Sequence, residues 1–473
     1  MKANDERTPL LAARGSNAGG EASQTSQQEN EEASLPRWQI ILLCYTSLVE
    51  PVAFFGIFPY VNKMIEESGI EESEVGFYSG LIESLFSATQ MCVMVLWGKA
   101  ADRFGRRPVL CFSLFGVSFM TALFGLSTSV WQMILFRCLS GVFAGTIVTV
   151  RAMLTENSSK STQAKVFSWF AFARNMGIFV GPVIGGALES PAKRYPSTFG
   201  RIRFFNDYPY ALPGFVTASV GFTAAILATL FLKETLHIHQ KNKKADERPM
   251  STWELLSYPG VRQVILIYNY ALMLAFAFTA VFPVFQYTSV NIGGLGLTPG
   301  WIAVTMGMGG ASQALWLILA FPRLHKRIGT VGLLRICAFV WPVFFGLDSI
   351  CNLLLRYNQK VIFWILFFSN NIVGSGVAMA FTAVQLAVND IAPSHETFGT
   401  LNALVLAVVS GLRAVIPALS TSLFATGVKY QIAGGQFFWI IAVCVAVGFI
   451  FAIRILPEKA AGRPQRQGEV GDA

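Results

Sequence analysis

Trp97-Gly98-Lys99-Ala100-Ala101-Asp102-Arg103-Phe104-Gly105-Arg106-Arg107 is a short charged stretch, marked by glycines, between two long apolar runs. Residues 76–97 precede it and residues 108–128 follow it, and both runs are continuous rather than alternating. Each is close to the ~20 residues that carry a helix across a ~30 Å hydrocarbon core. Two such runs joined by a turn holding Lys99, Arg103, Arg106 and Arg107 read as a membrane hairpin whose turn lies on the cytoplasmic side. Working outward, similar runs recur at 38–60, 131–151, 165–188, 211–232, 261–287, 300–321, 331–354, 361–388, 397–425 and 436–456. The fold class expected is therefore all-α and membrane-integral, with twelve transmembrane helices. Spanning strands would alternate polar and apolar residues in ~10-residue segments.

Composition points the same way. Of 473 residues, 53% are apolar and 13% charged, against about 25% charged in an ordinary soluble chain. This excludes a soluble multi-domain enzyme, a disordered protein and a disulfide-stapled secreted domain. The formal charge of +9 belongs to basic loops, so no nucleic-acid partner is expected. The seven cysteines lie in or beside apolar runs without a C-x-x-C pair, which leaves no disulfide framework, no metal site and no cofactor to expect. G-x-S-x-G, H-E-x-x-H and Walker-type loops are absent too. The chain reads as neither an enzyme nor an ATP-driven pump.

The polar stretch 1–36 reads as a disordered tail, as does 457–473, and both tails are expected in the cytoplasm. The connection 233–258, with Lys233, Lys241, Lys243, Lys244 and Arg248, divides a six-helix bundle at 37–232 from a second at 259–456. Arg323, Lys326 and Arg327 lie on the same side, whereas the first outer loop carries Glu66, Glu67, Glu71, Glu72 and Glu74. The outer connection 189–210 dissents with Lys193, Arg194, Arg201 and Arg203. The weaker echo Pro322-Arg323-Leu324-His325-Lys326-Arg327-Ile328-Gly329 after the eighth run suggests two pseudo-symmetric halves. Paired bundles about a midplane cavity are a transporter architecture, and a duplicated channel would give the same echo.

Gly98 and Gly105 suit a tight turn and close helix approach. Asp102 suits the positive end of a neighbouring helix, and Arg103, Arg106 and Arg107 suit acids across the inner face, with Glu156 a candidate partner. Such contacts would act as a conformational latch. With these residues the stretch resembles the signature loop of the major facilitator superfamily, in its drug:proton antiporter branch. Arg137, Gly141 and Gly145 resemble that branch's fourth-helix motif, which the resemblance ties to proton coupling. Gly177, Gly181, Pro182, Gly185 and Gly186 resemble its fifth-helix antiporter motif. Trp97, Glu234-Thr235-Leu236-His237 and Ser190-Pro191-Ala192-Lys193-Arg194-Tyr195-Pro196 resemble the zinc-induced-facilitator-like subgroup. The tail lacks the paired cysteines of its plant members, and the first cysteine is Cys44. That departure weighs against zinc as cargo, and His237 and His239 read as solvated. The similarity extends to fungal metabolite exporters.

Ionisable groups inside spans are the sharpest clues, because a midplane charge costs at least ~2.5 kcal/mol. Glu50 lies mid-span before Pro51, which kinks a helix. Glu83 shares a helical stripe with Ser79, Ser87 and Gln90. Either carboxylate facing Arg137 is expected to exchange a proton. Arg174 and Arg413 are also intramembrane, and Arg174 is a candidate cavity residue. For substrate, Asn269, Phe276, Phe278, Phe282 and Phe285 of the seventh span, Gln313 and Trp316 of the eighth, and Asn370, Asn371 and Gln385 of the tenth are candidates. Aromatic walls with amides suit organic cations or neutral compounds. Asp348 reads as snorkelling to water near an outer end.

The function expected is secondary transport by a monomer in contact with lipid: proton-coupled efflux, or vacuolar loading, of a small organic compound. Uniport or proton-symport uptake and metal-chelate transport are the alternatives, followed by a transport-inactive sensor. Glu6-Arg7-Thr8-Pro9-Leu10-Leu11 resembles an acidic dileucine signal for a vacuolar membrane, beside the plasma membrane as the other destination. The sequon Asn157-Ser158-Ser159 falls on the cytoplasmic side and is silent.

Overall fold

The computed structural model describes residues 36–158, 162–236, 252–391 and 397–457. The tails, the dileucine stretch, His237, His239 and most of the connection between halves lie outside the described residues. Among the described residues, eleven helical stretches are long and apolar enough to cross a bilayer. One of them, Pro299–Arg356, has 58 residues, about twice the length a crossing needs. Gly329 divides it, with φ 69 and ψ 179 inside otherwise helical backbone, so the described residues make twelve crossings.

The helices are Arg37–Glu67, Glu72–Phe104, Arg106–Phe124, Val130–Glu156, Gln163–Leu188, Ala211–Phe231, Val261–Tyr287, 299–328, 330–356, Lys360–Val388, Thr397–Lys429 and Phe437–Ala452. They are called first to twelfth below. The first outruns its expected end at residue 60 because a break at Gly56 resumes as Phe58–Glu67. The second also runs further than expected. The signature stretch stays helical through Phe104, and the turn is the single residue Gly105, at φ 104 and ψ 153. Only glycine adopts that backbone without strain.

The buried apolar residues separate by half. Phe54, Tyr60, Ile82 and Phe86 fill one core of the first six helices, and Ile40, Leu43, Leu110 and Val150 fill a second. Phe285, Trp341, Phe345, Phe367 and Trp439 fill the core of the last six. This overturns the reading of Phe278, Phe282 and Phe285 as substrate walls. Phe278 stacks on Phe282 at 4.5 Å and lies 4.7 Å from Phe344, while Phe285 meets Trp439 edge-on at 4.9 Å. An apolar run alone does not tell a helix face turned into its own bundle from one turned to a cavity.

The two bundles meet along two seams. The second helix packs on the eleventh, where a β-carbon at Gly80 would fall 1.7 Å from Thr421 Oγ1 and one at Gly76 3.5 Å from the Ala425 β-carbon. The Ser84 hydroxyl accepts from the Ala418 N–H at 2.8 Å. The fifth helix packs on the eighth, where a β-carbon at Gly186 would lie 2.2 Å from that of Ala303. At the end carrying the acidic first loop, Tyr287 donates to Glu66, the Ser289 N–H donates to Glu72 at 2.7 Å, and Lys429 pairs with Glu74 at 2.7 Å. These contacts join the halves at one end. Towards the basic end, Cys92, Val95 and Leu96 of the second helix are exposed.

Candidate functional site

Glu50 is 3% exposed in the first helix. Pro51 follows it and cannot donate to the preceding turn, so the helix bends at the carboxylate. Glu50 Oε1 accepts from Gln90 Nε2 at 2.9 Å, and Oε2 stands 3.9 Å from Arg174 Nη1. The same Gln90 amide donates to the Ala144 carbonyl at 3.0 Å, which is free because the fourth helix breaks at Ala144. Trp97 Nε1 donates to the Val142 carbonyl at 2.7 Å at the same break. Gly141 and Gly145 let the second and fourth helices close, since β-carbons there would strike Phe86 and Trp97. Gly177, Gly181 and Gly185 do the same between the fifth and first helices, with β-carbons falling 2.8 Å from Pro51, 2.9 Å from the Val52 carbonyl and 1.9 Å from the Gly56 carbonyl. Pro182 is buried in that helix. The glycine row thus presses the Glu50 bend toward Arg174, and Gly186 alone turns to the other half.

Arg137 does not meet Glu50. It is 3% exposed, and its guanidinium lies over Phe86 at 4.6 Å, Phe54 at 5.2 Å and Phe124 at 5.9 Å. Glu83, 6% exposed, is the carboxylate whose charge reaches it. Arg413, from the other half, lies 4.3 Å from the same Phe54 ring and within the field of both Glu50 and Glu83. Arg151, which the sequence reading passed over, adds a fourth guanidinium in the field of Arg174 and Glu50, 5.8 Å from Phe170. Six ionisable groups from the first, second, fourth, fifth and eleventh helices therefore form one cluster where the halves meet.

The remaining candidates divide. Asn269 is half-buried, bonded to the Ile265 carbonyl at 2.8 Å with its Oδ1 unpartnered, and Gln385 accepts from Tyr268 at 3.2 Å. Tyr268 lies in the field of Arg151 across the seam, so these three border the cluster. Phe276 and Gln313 are half-buried. Trp316 Nε1 donates to the Ile372 carbonyl, and Asn371 donates to the Thr305 carbonyl. Asn370 belongs to its own bundle, donating to the Phe344 carbonyl and to Asp348 at 3.1 Å each. Asp348 does not snorkel: it is 1% exposed.

The signature stretch binds within its own half. Arg106 pairs with Asp102 at 2.7 Å and with Glu156 at 3.2 Å, and Thr235 donates to Glu156. The carboxylate at a helix N-terminus is Glu234, not Asp102. It accepts from the Arg106 and Arg107 N–H groups at 2.9 and 3.0 Å, where the third helix has unsatisfied donors. Burial by itself would raise the Glu234 pKa, but backbone donors from Arg106, Leu236, Arg107 and Thr235 outweigh it and hold the carboxyl below its ordinary range. Arg107 also donates to the Thr229 carbonyl. Arg103 lies 5.5 Å from the Phe104 ring, and Gly98 is close only to Val148, at 3.8 Å for a β-carbon. These contacts clamp the second, third, fourth and sixth helices and do not cross to the other half.

Two helical bundles closed at one end around a buried charged cluster define a secondary transporter of the alternating-access class. A family model described as Major Facilitator Superfamily matches residues 43–397, and the chain belongs to that superfamily. It is 42% identical to the efflux pump azaK of Aspergillus niger, over 98% of this chain and 97% of that one. It is 25% identical to the multidrug transporter mfsB of Aspergillus fumigatus, over 84% and 80%. Among solved structures it resembles a D-xylose-proton symporter, with TM-score 0.66 and 14% identity over 89% and 98% of the two chains. That likeness is one of fold. The protein is a multi-pass membrane transporter and not an enzyme.

Proposed function

We propose that this protein exports a small organic compound, or loads it into a vacuole, in exchange for protons. The observation that carries the reading is Glu50, held between Gln90 and Arg174 at a proline bend beside the meeting surface of the halves. Its pairing depends on its charge, so protonation weakens the hold on Arg174 and frees the first and fifth helices to shift. Glu83 serves Arg137 and Arg413 in the same way. The efflux and multidrug names of the relatives support the outward direction.

In this reading the basic end faces the cytoplasm, with both tails on that side, and residues 37–232 and 259–456 move as units about the connection 233–258. The chain works as a monomer at the plasma or vacuolar membrane. The Asp102–Arg106–Glu156–Glu234 clamp keeps the first bundle rigid while it rocks. The test is substrate flux in proteoliposomes under an imposed pH gradient. The wild type moves substrate against the proton flow and reverses when the gradient is reversed. Glu50→Gln abolishes proton-driven flux in a protein that still elutes as a single folded species. Substrate moving with the protons, or full coupling in Glu50→Gln, would refute the reading.

A further inference from the structure

The central cluster is not electrically balanced. Arg137, Arg151, Arg174 and Arg413 face two carboxylates, Glu50 and Glu83, and among the described residues no other carboxylate acts on Arg137, Arg151 or Arg413. Several of the N–H donors make no hydrogen bond: Arg137 Nε and Nη2, Arg151 Nε and Arg174 Nη1, the last facing Glu50 Oε2 only at 3.9 Å. Glu50 is already shared between Gln90 and Arg174. Arg151 and Arg174 both lean on the same ring, Phe170, at 5.8 and 5.7 Å, and each feels the other's like charge. Guanidinium groups withdrawn from water with donors unused call for an anion. The arginines come from the fourth, fifth and eleventh helices, so one anion between them touches both halves.

We propose that this cluster binds an organic anion, a carboxylate or a compound of like charge, and not the organic cation or neutral compound that the amides and aromatic residues suggest by themselves. Arg151, Arg174 and Arg413 hold its charged group. Phe54 and Phe170 are buried beneath these guanidinium groups, and Asn269 with its unpartnered Oδ1 borders the site from the other bundle. Arginine suits this role because its planar fork matches a carboxylate. The inference rests on the exchange reading above. An anion on these arginines competes with Glu50 for Arg174, so anion and proton bear on the same pair.

The test is calorimetric titration of the full chain in lipid nanodiscs with two probes that share one ring system, 2-naphthoate and 2-naphthylmethylammonium. Repeating it in two buffers of different ionisation enthalpy counts protons taken up or released. 2-Naphthoate binds about tenfold or more tightly than the ammonium, the scale of one charge-assisted hydrogen bond. Arg151→Gln and Arg174→Gln each weaken 2-naphthoate by a similar factor, and Arg174→Lys recovers part of the loss, which separates lost charge from lost folding. Equal or preferential binding of the ammonium, no saturable 2-naphthoate binding, or an affinity indifferent to Arg174→Gln would overturn the proposal. Arg174-dependent 2-naphthoate binding accompanied by proton uptake would keep the anion site and refute the exchange reading. Proton-driven export of a cation would do the reverse.

Discussion

Gly80→Val tests whether the seam between the second and eleventh helices is what closes the acidic-loop end. A β-carbon at residue 80 would lie 1.7 Å from Thr421 Oγ1, 2.8 Å from Thr421 Cβ and 3.0 Å from the Pro417 carbonyl. Turning the Thr421 hydroxyl away relieves only the first contact, and that hydroxyl is committed to the Pro417 carbonyl at 2.8 Å. The helices must therefore separate. Overpacking of this kind costs about 1–3 kcal/mol. The penalty falls only on the state in which these helices touch, whereas the gain in helix propensity is common to both states and cancels. The closed-to-open ratio at this end should drop roughly 5- to 150-fold. Nitroxide labels at Glu71 and Tyr430, one on each half near the Glu74–Lys429 pair, report it by pulsed dipolar spectroscopy. The wild type should show a dominant short distance, and Gly80→Val a grown long-distance population. Superimposable distributions would mean that another surface holds the end shut.

Glu234→Ala removes the carboxylate that caps the third helix and should lower stability by about 1 kcal/mol at neutral pH. Because the folded-state pKa is depressed, this contribution is present above the ordinary carboxylate range and fades as pH falls below about 4.5. The gap between the wild-type and variant melting temperatures should narrow there, and a pH-independent gap would contradict the cap. Gly105→Ala places a side chain at φ 104, with its β-carbon 2.8 Å from Glu234 Oε2. It should cost about 1–3 kcal/mol and expose the basic-end clamp to limited proteolysis. Asp348→Asn keeps an acceptor for Asn370 and should leave stability within about 1 kcal/mol, while Asp348→Ala leaves one Asn370 N–H unpaired, the other still on the Phe344 carbonyl, at a cost of about 1–3 kcal/mol. Thermal melts of the pair distinguish a hydrogen-bonding carboxyl from a required charge.

The twelve crossings were legible because continuous apolar runs leave few alternatives in a bilayer, and only Gly329 conceals one of them in the backbone. Glu50, Glu83 and Arg137 stood out because charges inside spans are rare. Which cation meets which acid was not legible. That depends on how each helix is rotated in its bundle, and the glycine row at Gly177, Gly181 and Gly185 turns Arg174, not Arg137, toward Glu50. Arg151 escaped notice because it sits at the end of a span, where a basic residue usually marks an interface. The Glu234 cap joins residues 128 positions apart, beyond any local motif. Asp348 and Asn370 share a bond across two helices that hydropathy does not see. The phenylalanines of the seventh helix faced inward for the same reason: abundance of a residue type carries no direction.

The most direct measurement follows the Glu71–Tyr430 spin-label distance in proteoliposomes from mildly acidic to mildly alkaline pH, in the wild type and in Glu50→Gln. A wild-type population that shifts with pH, beside a Glu50→Gln population that stays fixed across the same range, is the predicted result. A Glu50→Gln protein that titrates just as the wild type does would contradict the account.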